Sequence, residues 1–209
     1  MARKTKTRAA QTRSAILDAA EREMQARGVS GASFERIAQR ASVTRGAIYW
    51  HFADKDALLT AMVERTYLPL RDLQYSLRNE LPHQEAPAIL RAMLLHGLER
   101  LASDAHHRRV CHILTHGYEN TDPDHPVAVL MRNAFEESRV VVHDLCQQAA
   151  DADQLQPQVT VDNACDLVMA FMCGVYSCSL RYNELFTVQR DWRPMVATLL
   201  SGLFVAGEE

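Results

Sequence analysis

Residues 36–55, RIAQRASVTRGAIYWHFADK, constrain the fold of this chain more than any other stretch. Phe34, Ile37, Ala38 and Ala41 recur at the i, i+3, i+4, i+7 spacing of one helix face, leaving Arg36, Gln39 and Arg40 outside. Ser42, Val43 and Thr44 break that pattern, and Thr44 is placed to cap a second helix running from Arg45 to about Phe52. A helix of under three turns is poorly stable alone, so its neighbours must hold it, with Ala47, Ile48 and Phe52 as its buried side. Thr44, Arg45, Gly46, Tyr49, Trp50 and His51 then point outward, a set that suits a recognition helix in a DNA major groove. The helix start and Arg45 face phosphates or base edges, and Gly46 allows close backbone approach. Tyr49 offers a hydroxyl to a phosphate or a ring to a thymine methyl. The competing reading is a short connector whose aromatics are plain core.

The flanks fit a reader of DNA. Met1 to Arg13 carries Arg3, Lys4, Lys6, Arg8 and Arg13 with no acidic residue. This arm is too polar to fold alone and is expected along a minor groove. From Ser14, the residues Ile16, Leu17, Ala20 and Met24 mark helix one, which Gly28 is placed to end. Ser33 is the expected cap of helix two, where a hydroxyl and free N–H groups can hold a phosphate. Asp54 can cap a long helix from Lys55 to about Arg78, kinked near Thr66 by Pro69. Lys55 sits at the positive end of that helix dipole, a poor place for a cation unless a phosphate is its partner.

The segment from about Arg8 to Leu59, with AILDAAEREMQARGV and then SFERIAQRASVTRGAIYWHFADKDAL, resembles the DNA-binding domain of the TetR family of bacterial one-component repressors. The opening ARKTK and the run VTRGAIYWHF resemble most closely the AcrR-like branch. Two positions depart from the family pattern. Ser42 stands where Gly is usual in the turn, which strains a non-Gly residue asked for positive φ, and Ala32 stands where Thr is frequent. The resemblance implies repression of a multidrug efflux operon, release by lipophilic compounds, and a phosphate contact by Lys55. It also implies polar ligand anchors on the sixth and eighth helices, where this chain carries Cys111, Thr115, His116, Cys173 and Ser177.

Composition narrows the alternatives. The chain has 209 residues and is 47% hydrophobic, enough for a sizeable core in one or two domains. It shows neither an apolar run of about 18 residues nor a signal-peptide pattern, so a soluble cytoplasmic protein with no membrane partner is expected. Five cysteines, at 111, 146, 165, 173 and 178, form neither a disulfide framework nor a zinc motif. Residues 1–60 hold 11 Lys/Arg against 6 Asp/Glu, whereas the remainder holds 12 against 20. The N-terminal part alone would be drawn to a polyanion.

Beyond Pro82, helices are expected over Glu85–Ser103, Ala105 to about Thr115, Pro126 to about Ala150, Thr160–Glu184 and Asp191 to about Phe204. The expected fold is thus all-α with nine helices: a DNA-binding domain over 1–54 and a ligand-binding and dimerisation bundle over 55–209. The last two long helices are more apolar than one core requires, and the surplus predicts a homodimer that presents two recognition helices to a pseudopalindromic operator.

Leu68, Met93, Leu94, Leu98, Leu101, Val110, Leu114, Met131, Phe135, Met169, Met172 and Tyr176 are expected to face one interior. With Cys111, Thr115 and Cys173 they make a Met-rich candidate site for a small, uncharged or weakly basic lipophilic inducer. Plain core is the competing reading of the same stripe. In HHRRVCHILTHG, residues 106–117, His107 and Cys111 are four apart, as are His112 and His116, but the two pairs point in different directions. Surface histidines are the simpler reading, and no metal or cofactor is assigned. The chain carries no Gly-rich phosphate loop, HExxH or G-x-S-x-G turn, and only Glu80 and His83 have Glu-x-x-His spacing, so no catalytic residue is assigned. The remaining alternatives are control by a protein antirepressor or by a metal or thiol signal.

Overall fold

The computed structural model describes residues 2–66, 70–80, 85–118, 122–187 and 189–205. These form ten helices: α1 Ala2–Gly31, α2 Phe34–Ala41, α3 Arg45–His51, α4 Lys55–Thr66, α5 Leu70–Glu80, α6 Ala86–Ser103, α7 Ala105–His116, α8 Pro126–Asp151, α9 Val161–Arg181 and α10 Arg193–Leu203. No strand occurs among the described residues, where an isolated bridge joins Leu155 to Phe204. The all-α class holds, with ten helices where nine were expected. The expected helix over 55–78 is two helices, with Pro69 falling between them in the sequence; proline has no N–H to continue a helix and disfavours helical geometry in the residue before it.

The N-terminal arm also differs from expectation. Helical backbone begins at Ala2 rather than Ser14. From Ala2 to Arg27 the chain holds no Gly or Pro and many good helix formers. A helix already nucleated by a buried segment extends through such residues at little further cost. Gly28, with φ 70 and ψ 168, interrupts the helical path before the last turn of α1. That backbone region is essentially glycine's alone.

Packing divides the chain into two compact units: Met1–Tyr67 with Asp104–Leu130, and Leu68–Ser103 with Met131–Glu209. The boundary expected at 54/55 is displaced because α4 contributes Leu58, Leu59 and Met62 to the N-terminal core. In addition, α7 adds Val110 and Ile113 to the same cluster as Ile16, Leu17, Met24, Ile37 and Ile48. The second unit has its own core, in which Ile89, Leu90 and Leu98 of α6 join Val141 and Leu145 of α8, Val168 of α9, and Val196 and Leu203 of α10. α9 is long and apolar enough to cross a membrane by length and composition. Its Ala164, Cys165, Val168, Val175 and Ser179 are buried in this unit.

A charged cluster crosslinks the first unit. Glu21 of α1 is fully buried. Its carboxylate accepts hydrogen bonds from Arg65 of α4 and from Nε and Nη2 of Arg109 of α7, the latter two at 3.2 and 3.1 Å. His106 Nδ1 lies 2.9 Å away, and Asp18 takes Arg65 Nη1 at 2.7 Å. Burial works against the Arg65 charge, but its bonds to Asp18 and Glu21 outweigh that and leave its pKa above the ordinary value. A buried charge persists only when paired in this way.

The joint between α2 and α3 is a Schellman turn. Ser42 N–H donates to Gln39 O at 3.2 Å and Val43 N–H to Ala38 O at 3.0 Å. Ser42 takes the left-handed conformation, φ 56 and ψ 41, that glycine ordinarily supplies.

Two substitutions test these features by denaturant unfolding of the full chain. Ser42→Gly should raise stability by about 0.5–1 kcal/mol, because the strain of a left-handed L-residue is removed against glycine's entropy cost. Glu21→Ala should lower it by about 3–5 kcal/mol, because Arg65 and Arg109 lose their shared acceptor. A loss no larger than that of an ordinary surface substitution would refute the role given to Glu21.

Candidate nucleic-acid interface

The interface begins with two short helices that cannot stand alone. α2 is capped by Ser33, whose Oγ accepts from Arg36 N–H at 3.4 Å, and α3 by Thr44, whose Oγ1 accepts from Ala47 N–H at 3.2 Å. Ile48 is fully buried and Phe52 is nearly so, which orients the remaining faces of α3. Thr44, Arg45 and Gly46 are exposed, as are Tyr49 at 49% and Trp50 at 74%. Leaving that much indole in water gains nothing for the fold, so the connector reading, in which these aromatics are core, does not describe Tyr49 or Trp50.

In the free protein the outward side chains are partly pre-positioned. Arg45 Nη2 donates to Tyr49 Oη at 2.9 Å, with its guanidinium 5.4 Å from the centre of the same ring. That hydrogen bond, more than anything else, raises the Arg45 pKa. Tyr49 in turn meets Phe34 edge to face at 5.1 Å. Trp50 lies against His51, with ring centres 4.5 Å apart. Arg13 stands 5.1 Å over the Phe52 ring, joining the arm to the end of α3.

His51 is half-buried, and burial first, then the Arg13 charge, pushes its pKa below the ordinary histidine value. The ring is therefore neutral at pH 7 and offers a hydrogen-bonding nitrogen rather than a charge. Gly46 has no structural necessity in the free protein: a Cβ there would meet only Thr44 Oγ1, at 3.9 Å, and its φ is not left-handed.

Lys55 has a structural task that sequence spacing did not reveal. Its Nζ donates to Val29 O at 3.2 Å and to Ser30 O at 3.1 Å, closing the end of α1. An ammonium has three donors, so one remains for a phosphate. Asp54 caps α4 as expected, accepting from Ala57 N–H at 2.7 Å.

Other residues near this face were not singled out from sequence. Arg27, Arg36, Gln39 and Arg40 line an open groove of about 580 Å³ between α1 and α2. Glu23, nearly buried, pairs there with Arg40 at 2.7 Å and with Arg27 at 3.4 Å. The available signal for Glu21 was its position on the same helix face as Leu17, Ala20 and Met24, where a carboxylate must find a buried partner. Asp18, Glu21 and His106 bring three ligand atoms within 4.8 Å of one another. Arg65 and Arg109 already hold the same carboxylates, which makes the trio an ion-pair network rather than a cation site.

The residues expected around a ligand are divided by the packing. Met93, Leu94 and Leu98 of α6 are buried in the second core, and Met169, Met172 and Tyr176 of α9 pack against it. The Tyr176 hydroxyl donates to Gly97 O at 2.9 Å, and a Cβ on Gly97 would lie 3.2 Å from Met172 Cε, so the bare backbone at residue 97 leaves room for the end of the Met172 side chain. Leu101 is buried in α6. Met131 and Phe135 are exposed at 36% and 45%, and Cys173 and Ser177 are exposed as well. Cys111, Leu114, Thr115, His116 and Val110 belong to the first unit. Leu68 lies outside the described residues.

On α7, Cys111 Sγ is 3.6 Å from His107 Nε2, and the rings of His112 and His116 stack 4.7 Å apart. All five cysteines are free thiols. Burial pushes the Cys146 thiol up to about 12, far from the thiolate a redox sensor needs.

Comparison with known proteins places this geometry. Residues 16–62 match the family of bacterial regulatory proteins, tetR family. The chain is 32% identical over 200 residues to the HTH-type transcriptional regulator AcrR of Shigella flexneri, covering 96% of this chain and 93% of that one. It superimposes with a TM-score of 0.81 and 28% identity on NalD, the secondary repressor of the MexAB-OprM multidrug efflux pump in Pseudomonas aeruginosa, covering 93% of this chain and 96% of that one. The complex of SmeT with triclosan matches with a TM-score of 0.75 and 28% identity, covering 94% and 93% of the two chains. With its capped helix-turn-helix and the exposed face of α3, the chain belongs to the TetR family of transcriptional regulators, in its AcrR-like branch.

Proposed function

We propose that this regulator is a ligand-released repressor that acts in the cytoplasm as a homodimer on a pseudopalindromic operator of a multidrug efflux operon. The observation that carries the reading is the outward face of α3, where Arg45, Gly46, Tyr49 and Trp50 are displayed on a helix locked by Ile48 and Phe52. In this scheme Arg45 and Tyr49 read base edges, and Arg45 must leave the Tyr49 hydroxyl to do so. Ser33, Thr44, Trp50, His51, Lys55 and Arg13 position the DNA backbone.

The surface of the second unit supports the dimer. On α9, Leu167 is 50% exposed, and Ala170, Cys173, Gly174 and Ser177 are exposed on turns that follow it. On α10, Ala197, Ser201 and Gly202 are exposed too, and a Cβ at Gly174 or Gly202 would meet nothing within 4 Å. Small residues on apolar helices let two copies pack backbone to backbone around a two-fold axis. That axis would set the two copies of α3 one helical turn of DNA, or a small multiple of it, apart.

The small-molecule arm rests on the Met-rich contact of α6 with α9, and on SmeT, a relative solved with triclosan, a lipophile. Met93, Leu94, Leu98, Met169, Met172 and Tyr176 are its lining within the second unit, with Met131, Phe135, Cys173 and Leu68 as further candidates of the same unit. The inducer acts through its higher affinity for a conformation in which the paired α3 helices no longer fit successive grooves.

Selection of binding sites from random duplexes at fixed salt, followed by titration of the selected site with triclosan, tests the whole scheme. A monomeric protein with no preference among duplexes would sink it. On the selected operator, Arg45→Ala should cost about 1–3 kcal/mol and relax discrimination at one base pair. Lys55→Ala should weaken all sequences alike and reduce the salt slope by about 1, with some loss of stability as the α1 carbonyls lose their donor. Gly46→Ala should stabilise the free protein by up to about 1 kcal/mol, since alanine is the better helix former, while weakening operator binding through steric contact with DNA. Unchanged operator affinity in that variant would remove the close-approach role of Gly46.

A further inference from the structure

We propose that the groove beside Trp192 is a second small-molecule site, shaped for a one-ring aromatic acid that carries its own hydrogen-bond donor, of the hydroxybenzoate kind. None of the residues that build it is among those assigned to the lipophilic inducer.

Trp192 is only 4% exposed, yet its Nε1–H has no acceptor among the described residues. Buried indole N–H groups usually have a partner, and an orphaned donor costs about 1–3 kcal/mol. The same residue lines a groove of about 270 Å³ between α6 and the segment leading into α10. A cavity of about 150 Å³ holds benzene, so the groove has room for a single substituted ring.

The walls supply the chemistry of the guest. Phe186 and Trp192 meet at 5.7 Å, and the Arg190 guanidinium stands over both rings, at 4.9 and 6.0 Å. The Arg190 guanidinium has one hydrogen bond among the described residues, to the Met195 sulfur at 3.8 Å, and a thioether is a weak acceptor. Asp191, by contrast, is satisfied by the backbone and side chain of Arg193, at 3.1 and 3.0 Å. Across the groove, the exposed carboxylate of Glu99 has no partner among the described residues, and Leu95 and Ala102 give an apolar floor.

The groove therefore holds one unpaired cation, one unpaired anion and one orphaned donor. A carboxylate satisfies Arg190 and accepts from Trp192 Nε1–H, a ring covers the floor, and a phenolic O–H donates to Glu99. A neutral lipophile would leave the Trp192 N–H unmet and would match neither charge at the groove's edge. Nε1 is fully covered in the free protein, so one wall must give on entry, and the exposed Arg190 side chain over the two rings is free to do so.

The chain has two tryptophans, and W50F leaves Trp192 as the sole indole reporter. Titration of the full-length W50F protein with 4-hydroxybenzoate should produce a saturable change in Trp192 emission. Adding R190Q should weaken binding about tenfold, equivalent to about 1.4 kcal/mol. Adding E99A should erase the preference for 4-hydroxybenzoate over benzoate while leaving benzoate binding intact, and calorimetry on the unmodified protein should give the same affinity. A non-saturable signal, equal affinity in R190Q, or no difference between the two acids in W50F would each overturn the proposal. Because E99A removes only an exposed side chain, it keeps the test decisive should R190Q fail to fold.

Discussion

A carboxylate with no exposed surface lies at the junction of α1, α4 and α7, and the geometry of the DNA-reading unit depends on it. Left alone in a low-dielectric interior, the Glu21 charge would be intolerable; ringed by Arg65, Arg109 and His106 it becomes a crosslink. Apolar contacts hold helices together but tolerate sliding. Charge-assisted hydrogen bonds have direction and length, and they set how the three helices sit against one another. Against this frame α2 and α3, eight and seven residues long, find the neighbours they need.

The reading surface is built at a small cost in local stability. Ser42 accepts a left-handed conformation in the turn, Gly46 spends a helical position on a residue with no side chain, and Trp50 keeps its indole in water. The fold of the free protein gains from none of these. Lys55, with its bonds to two backbone carbonyls, instead helps to hold the end of α1 in place. The helices that Glu21 ties down, α4 and α7, adjoin two places where the chain passes between its compact units, at 67/68 and 103/104.

The spacing of apolar residues, the caps and the turn chemistry were legible from the start because they are local. Ser33, Thr44 and Asp54 bond to N–H groups three residues ahead, and Phe34, Ile37 and Ala38 share a face by helical geometry alone. The arm departs from its sequence expectation because its polarity hides a high helix propensity, and α4 and α5 are separate because a proline can break a helix as well as kink it. Trp192 and Glu99 drew no notice, since nothing in their own stretches of sequence brings them to one groove.

By itself, then, the order of residues determined the helical class, the helix-turn-helix and which of its side chains face outward, all properties set within one or two turns of chain. Tertiary structure alone decided that α7 joins the N-terminal unit, that Glu21 is buried among cations, that Lys55 closes the end of α1, and that Glu99 and Trp192 line one groove. Several of these contacts join residues 25 to 88 positions apart. At such separations the partner is chosen by how packed helices meet, which no local pattern encodes.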